Sequence, residues 1–167
     1  MAKMTWTTYI QQLRQHQHLT DHAQKNADRL LKNVYLFDNP YAMEPTQISY
    51  TMDPIQWQKT PNGDPEWLYM LKRQEYLLDL LEAFYETGDM VYQKKMKALL
   101  FSWIEENLAF PDTWRTIDTG IRLLNWTPVI ANLLESQLLT AKERVNVESA
   151  VNTQAACLLY TSEAADD

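Results

Sequence analysis

Cysteine, glycine and long apolar runs are all scarce in this chain. Cys157 is the only cysteine among 167 residues, so no internal disulfide can staple the fold and the rest of the chain has no thiolate chemistry. Three glycines against many Leu, Gln, Glu and Lys favour helix over sheet. No apolar run is long enough to span a bilayer, and a membrane partner is not expected. The formal charge is −7, so nucleic acid is not an expected partner either. His16, His18 and His22 are the only histidines. His18 and His22 have the i, i+4 spacing of a shared metal, but a third ligand and a neighbouring general-base Glu are lacking, and solvated histidines at a helix end are the reading adopted. No metal and no cofactor is expected. Met1–Thr8 leads into the polar run Gln11–His18 without an apolar signal core, and the compartment stays open.

Against these absences stands clear helix punctuation between Asp64 and Trp126. Asp64 is a good N-cap, Pro65 at the first helical position loses only an orphan N–H, and Glu66 adds negative charge where the helix dipole favours it. Leu68, Leu71, Leu78, Leu81 and Tyr85 recur at helical spacing up to Gly88, predicting one helix of about five turns. Asp89 caps a second helix carrying Tyr92, Met96, Leu99, Leu100, Trp103 and Ile104 and ending before Asn107. Joined through Thr87-Gly88-Asp89, the two should fold back as an antiparallel hairpin.

Helices are also predicted around Trp6, Tyr9, Ile10 and Leu13, and from Thr20 or Asp21 through Ala23, Ala27, Leu30, Leu31 and Val34. Residues 35–63, with Pro40, Pro45, Pro54 and Pro61, form a long connector; Ile48–Met52 reads as a short extended piece, and Ile55 with Trp57 could pin it to the helices. A helix from Thr113 or Thr116 should pass through Ile117, Ile121, Leu124 and Ile130, kinked at Pro128. The next has the capping box Thr140-x-x-Glu143 and a sparse apolar face of Val145, Val147 and Val151. The fold class is all-α, built of helical hairpins. Asp79, Glu82 and Glu86 could imitate a glycosidase pair, but carboxylates spaced along a helix are read as its wet face.

The order of the motifs resembles the N-terminal region of heparinase II/III-type polysaccharide lyases. The matching pieces are Asp64-Pro65-Glu66-Trp67, Arg73, Phe84 to Asp89, Trp103-Ile104, Trp114 and Gly120-Ile121-Arg122-Leu123-Leu124-Asn125-Trp126. Each is weak alone, but as an ordered set over roughly residues 20–155 they are specific, over a span of ordinary domain size. The resemblance implies an α/α toroid of which this chain is an incomplete arc, and β-elimination of a uronic-acid-containing, glycosaminoglycan-like or alginate-like polysaccharide. In that family an Asn or His neutralises the uronate carboxylate while Tyr and His handle protons. None of these maps onto this chain, so no catalytic residue is assigned. Rival readings are a fragment of an α/α-toroid glycoside hydrolase and a non-enzymatic helical-repeat interaction module.

Cys157-Leu158-Leu159-Tyr160-Thr161-Ser162, with its acidic, Ala-rich trail to Asp167, looks like a sequencing adapter read through in frame. Residues 157–167 are therefore expected to be a non-native tail and 1–156 the N-terminal portion of a lyase domain, whose missing C-terminal part is itself an expected partner. Glu163, Asp166 and Asp167 carry three of the negative charges, leaving −4 for residues 1–156. An arc opened at Ala156 should leave Leu133, Leu134, Leu138 and Leu139 partly uncovered.

What the fragment can supply is cleft wall for an acidic polysaccharide. Arg122 offers a planar fork suited to carboxylate or sulfate, and Trp126, one helical turn later, a ring on which a sugar can stack. The competing reading pairs Arg122 with Asp118 and places Trp126 in the core. Trp114, beside Pro111 in a segment that breaks helical periodicity, is a candidate for the cleft, and Tyr69 a weaker one. Arg73 is a further candidate, although Glu66 and Glu75 nearby favour a structural ion pair. Trp67 and Trp103 are expected in the core.

Overall fold

The computed structural model describes residues 21–38, 47–110 and 114–163. Among these are six helices: α1 (Asp21–Leu31), α2 (Pro65–Arg73), α3 (Leu77–Thr87), α4 (Met90–Asn107), α5 (Thr116–Glu135) and α6 (Ala141–Glu163). Two two-residue strands, β1 (Val34–Tyr35) and β2 (Tyr50–Thr51), pair antiparallel with Val34 opposite Thr51 and Tyr35 opposite Tyr50. The fold is all-α as expected. The helix expected around Trp6–Leu13 lies outside the described residues.

The caps behave as the sequence predicts. The Asp64 carboxylate accepts the Glu66 N–H at 2.9 Å, and Asp89 accepts that of Val91 at 3.0 Å. Gly88 adopts φ 71°, in the left-handed region, and sends its N–H to the Phe84 carbonyl at 2.7 Å. Thr140 and Glu143 close the capping box in both directions, at 3.2 and 2.8 Å. With Gly88 and Asp89 alone between them, α3 and α4 pack against each other as the expected hairpin.

Besides Val34, which opens β1 instead of continuing α1, four expectations need correcting. The helix from Asp64 to Gly88 is two helices, because Gln74 takes φ 55° and ψ 31° and ends α2. Its fully buried side chain stabilises the break: Oε1 accepts the Trp126 indole N–H at 2.7 Å, and Nε2 donates to the Leu99 carbonyl at 3.3 Å. Local periodicity cannot register such tertiary bonds. Second, α6 runs past Ala156 into the residues expected to form a tail, continuing to Glu163 with Cys157 and Leu158 half-buried. Third, Leu133 and Leu139 are buried, whereas Leu134 is exposed; on α6 Val147 is buried and Val145 is not. Fourth, Asp79 is not on a wet face, since it is half-buried against α1.

Pro128 sits inside α5, which runs through it as one helix. It supplies no N–H to the carbonyl of Leu124, a residue 75% exposed, where water can take its place. The connector is pinned as expected. Trp57 is buried and its indole N–H reaches Ser102 Oγ at 2.9 Å, while Gln58 donates to Asn107 Oδ1 at 2.8 Å and accepts from Lys72 Nζ at 2.8 Å. Trp67, Trp103 and Trp126 fill the core, the last two edge to face at 5.2 Å. The ends of α2 and α5 thereby meet above Trp103.

Candidate functional site

At that meeting point the structure gathers four cations. Lys72 and Arg73 end α2, Arg115 caps the start of α5 without a capping side chain of its own, and Arg122 lies within α5. Two carboxylates face them. Asp118 accepts Arg73 Nε at 2.6 Å and lies 3.5 Å from Arg115 Nε, and Glu66 lies 3.8 Å from Arg115. Positive charge is therefore in excess around a single buried carboxylate.

Arg122 is 1% exposed, and Asp118 is not its hydrogen-bonding partner. Its Nε donates to Gln154 Oε1 at 2.6 Å, Nη1 to the Lys72 carbonyl at 3.1 Å and Nη2 to Thr119 Oγ1 at 3.3 Å. The guanidinium lies 4.0 Å from the centre of the Trp103 ring and 5.8 Å from that of Trp114. A charge held by neutral acceptors in the interior is costly: burial pushes its pKa down to about 9, with Asp118 opposing. It remains charged at neutral pH. The Lys72 ammonium is also lowered, first by burial and then by Arg122.

The five candidates therefore separate by depth. Trp126 is fully buried and spends its N–H on Gln74, so neither its ring nor the Arg122 fork faces a cleft. Both readings of Arg122 change, because the Asp118 pairing falls to Arg73 instead. Arg73 is buried and structural, but it uses Asp118 from another helix, while Glu66 goes to Arg115. Its Nη2 has no partner among the described residues. Tyr69 and Trp114 remain half-buried at the rim.

One rim residue was missed. Arg115 is exposed, and its guanidinium carbon sits over Tyr69, 3.9 Å from the ring centre. Among the described residues both of its carboxylate contacts exceed hydrogen-bond length, which leaves its donors able to take a further anion. The signals were its place beside Trp114 and its i, i+3 spacing to Asp118. Gln74 and Gln154 gave no signal, because each acts through a partner far away in sequence. With Trp114, whose buried indole N–H has no partner among the described residues, Arg115 and Tyr69 form an aromatic and cationic rim that can hold a sugar ring and an acid group together.

The molecule is thus an all-α domain of helical hairpins with a cation-rich seam and an aromatic rim. It belongs to the heparinase II/III N-terminus family, whose model matches residues 2–165. No curated protein and no solved structure matches the chain. Among the described residues no group of three or more His, Cys, Asp or Glu could hold a metal ion, and no helix is long and apolar enough to cross a membrane.

Proposed function

We propose that this chain is the substrate-holding N-terminal portion of a polysaccharide lyase that cleaves uronic-acid-containing, glycosaminoglycan-like or alginate-like polymers by β-elimination. The family match along nearly the whole chain carries the reading, and the Tyr69–Trp114–Arg115 rim supports it chemically. In the elimination a base takes the C5 proton, the C4–oxygen bond breaks as the C4–C5 double bond forms, and the leaving oxygen gains a proton. Neutralising the uronate carboxylate makes that proton acidic. Within this chain Arg115 holds an acid group of the sugar and Tyr69 and Trp114 offer ring faces. Arg73, Arg122 and Trp126 are positioning residues that fix the ends of α2 and α5 beneath them. No residue of this chain is assigned to proton transfer.

Titrating the chain with acidic oligosaccharides while following tryptophan fluorescence tests this. Weak, salt-sensitive binding is expected, since ionic contacts at an exposed rim are screened within roughly 10 Å at ordinary salt. Arg115→Gln should cost about 1–3 kcal/mol of binding, the worth of hydrogen bonds to a charged group, without moving the unfolding midpoint. No unsaturated uronate, read by its ultraviolet absorbance, should accumulate. Undiminished binding in Arg115→Gln would remove the rim from the site, and absence of any sugar affinity would favour a helical interaction module.

A further inference from the structure

A second polar cluster lies where α1 meets α3. Asn26 of α1 is 4% exposed and donates from Nδ2 to Asp79 Oδ2 of α3. Its other amide atom, Oδ1, is buried and receives no donor among the described residues. A carboxylate cannot supply one, but a carboxylic acid can: amide and neutral acid are complementary, each donating one hydrogen bond and accepting one. Glu75, in the turn before α3, and Glu82, one turn further along it, add like charge to Asp79, and His22 of α1 opposes them. His22 is also held by Asp38 at 2.8 Å. From α4, which packs against both α1 and α3, Tyr92 donates to Asp28 at 2.7 Å and Lys95 to Asn33. From α5, Asn132 donates to the Tyr85 hydroxyl at 3.1 Å.

We propose that α1 is fastened to α3 by a proton-dependent latch in which Asp79, as the neutral acid, pairs with the Asn26 amide and lets go when it loses its proton to solvent. The electrostatics agree. Burial, and then the charges of Glu82 and Glu75, raise the Asp79 carboxyl to about 7, against the opposing effects of Asn26 and His22. Because the folded value lies above the unfolded one, the latch contributes fully below about pH 4. Its contribution falls as pH rises towards about 7 and is gone above that. Within this window the unfolding constant should rise by up to about tenfold per pH unit.

The test pairs two measurements on the full chain. Carboxyl carbon NMR follows the Asp79 titration directly, and urea unfolding at about pH 5 and about pH 8 compares the chain with Asp79→Asn, whose amide keeps a permanent donor for Asn26. The ratio of unfolding constants between the two pH values is expected to be about tenfold or more larger in the native sequence than in the variant, with the Asp79 carboxyl titrating near neutrality. Equal ratios in the two proteins, or an Asp79 midpoint below about 5, would overturn the latch. The NMR measurement decides the matter even where Asp79→Asn does not fold.

Discussion

Replacing Arg122 by alanine separates an internal support from a substrate-facing arginine. The side chain is 1% exposed and is held by Gln154, the Lys72 carbonyl and Thr119, with Trp103 beneath the guanidinium. Deletion removes hydrogen bonds to a charged group, about 1.5–3 kcal/mol each in isolation, and orphans two buried oxygens on neighbouring helices. It also returns the desolvation cost of a buried charge, so the terms do not simply add. Emptying a space of this size costs about 2–5 kcal/mol on its own. The expected net loss for Arg122→Ala is about 3–4 kcal/mol, which lowers the midpoint by roughly 6–16 °C in a domain of this length. Arg122→Met fills most of the volume without a buried charge and should lose only about 1–3 kcal/mol. Arg122→Lys should fall between them, because an ammonium cannot reproduce the planar fork. Urea unfolding at neutral pH measures all three. An Arg122→Ala protein within about 0.5 kcal/mol of the parent would refute the internal role.

Gln74→Leu leaves the buried Trp126 N–H without its acceptor and puts a residue less tolerant of the left-handed region at φ 55°; a loss of about 2–4 kcal/mol is expected by urea unfolding. Gly88→Ala should cost about 1 kcal/mol from backbone strain alone, since φ is 71° and a new Cβ would meet nothing within 4 Å. Thr140→Ala should also cost about 1 kcal/mol through loss of the α6 cap, visible as a lower calorimetric midpoint.

Features written in neighbouring residues were legible from the sequence. Asp64-Pro65, Gly88-Asp89 and Thr140 to Glu143 act over one to three positions, and all cap as expected. The connector's anchor was legible too, because Trp57 is a large apolar group with few alternatives to burial. The break at Gln74 was not, since its cause is a bond to Trp126, which lies 52 positions away. The same limit governed the candidate site. A cation beside an aromatic on a helix is compatible with either cleft or core, and the choice depends on which helix packs above it. For Arg122 that helix is α6, which brings Gln154 to the guanidinium.

The break and the rim are physically linked. Had α2 and α3 been one straight helix, Lys72 and Arg73 would lie mid-helix with their carbonyls committed to the helical ladder. Ending α2 at Arg73 frees those carbonyls, and each finds a donor on α5: Lys72 O takes Arg122 Nη1 at 3.1 Å, and Arg73 O takes Asn125 Nδ2 at 3.0 Å. Gln74 holds the corner by accepting from Trp126, one turn beyond Arg122 on α5. Three successive residues of the broken helix are thus fastened to three side chains of α5. That fastening fixes the position of Asp118, through it Arg73 and Arg115, and so places Arg115 over Tyr69. In the proposed function Arg122 and Trp126 therefore act without touching the sugar, by fixing the rim at which Arg115 and Tyr69 would meet it.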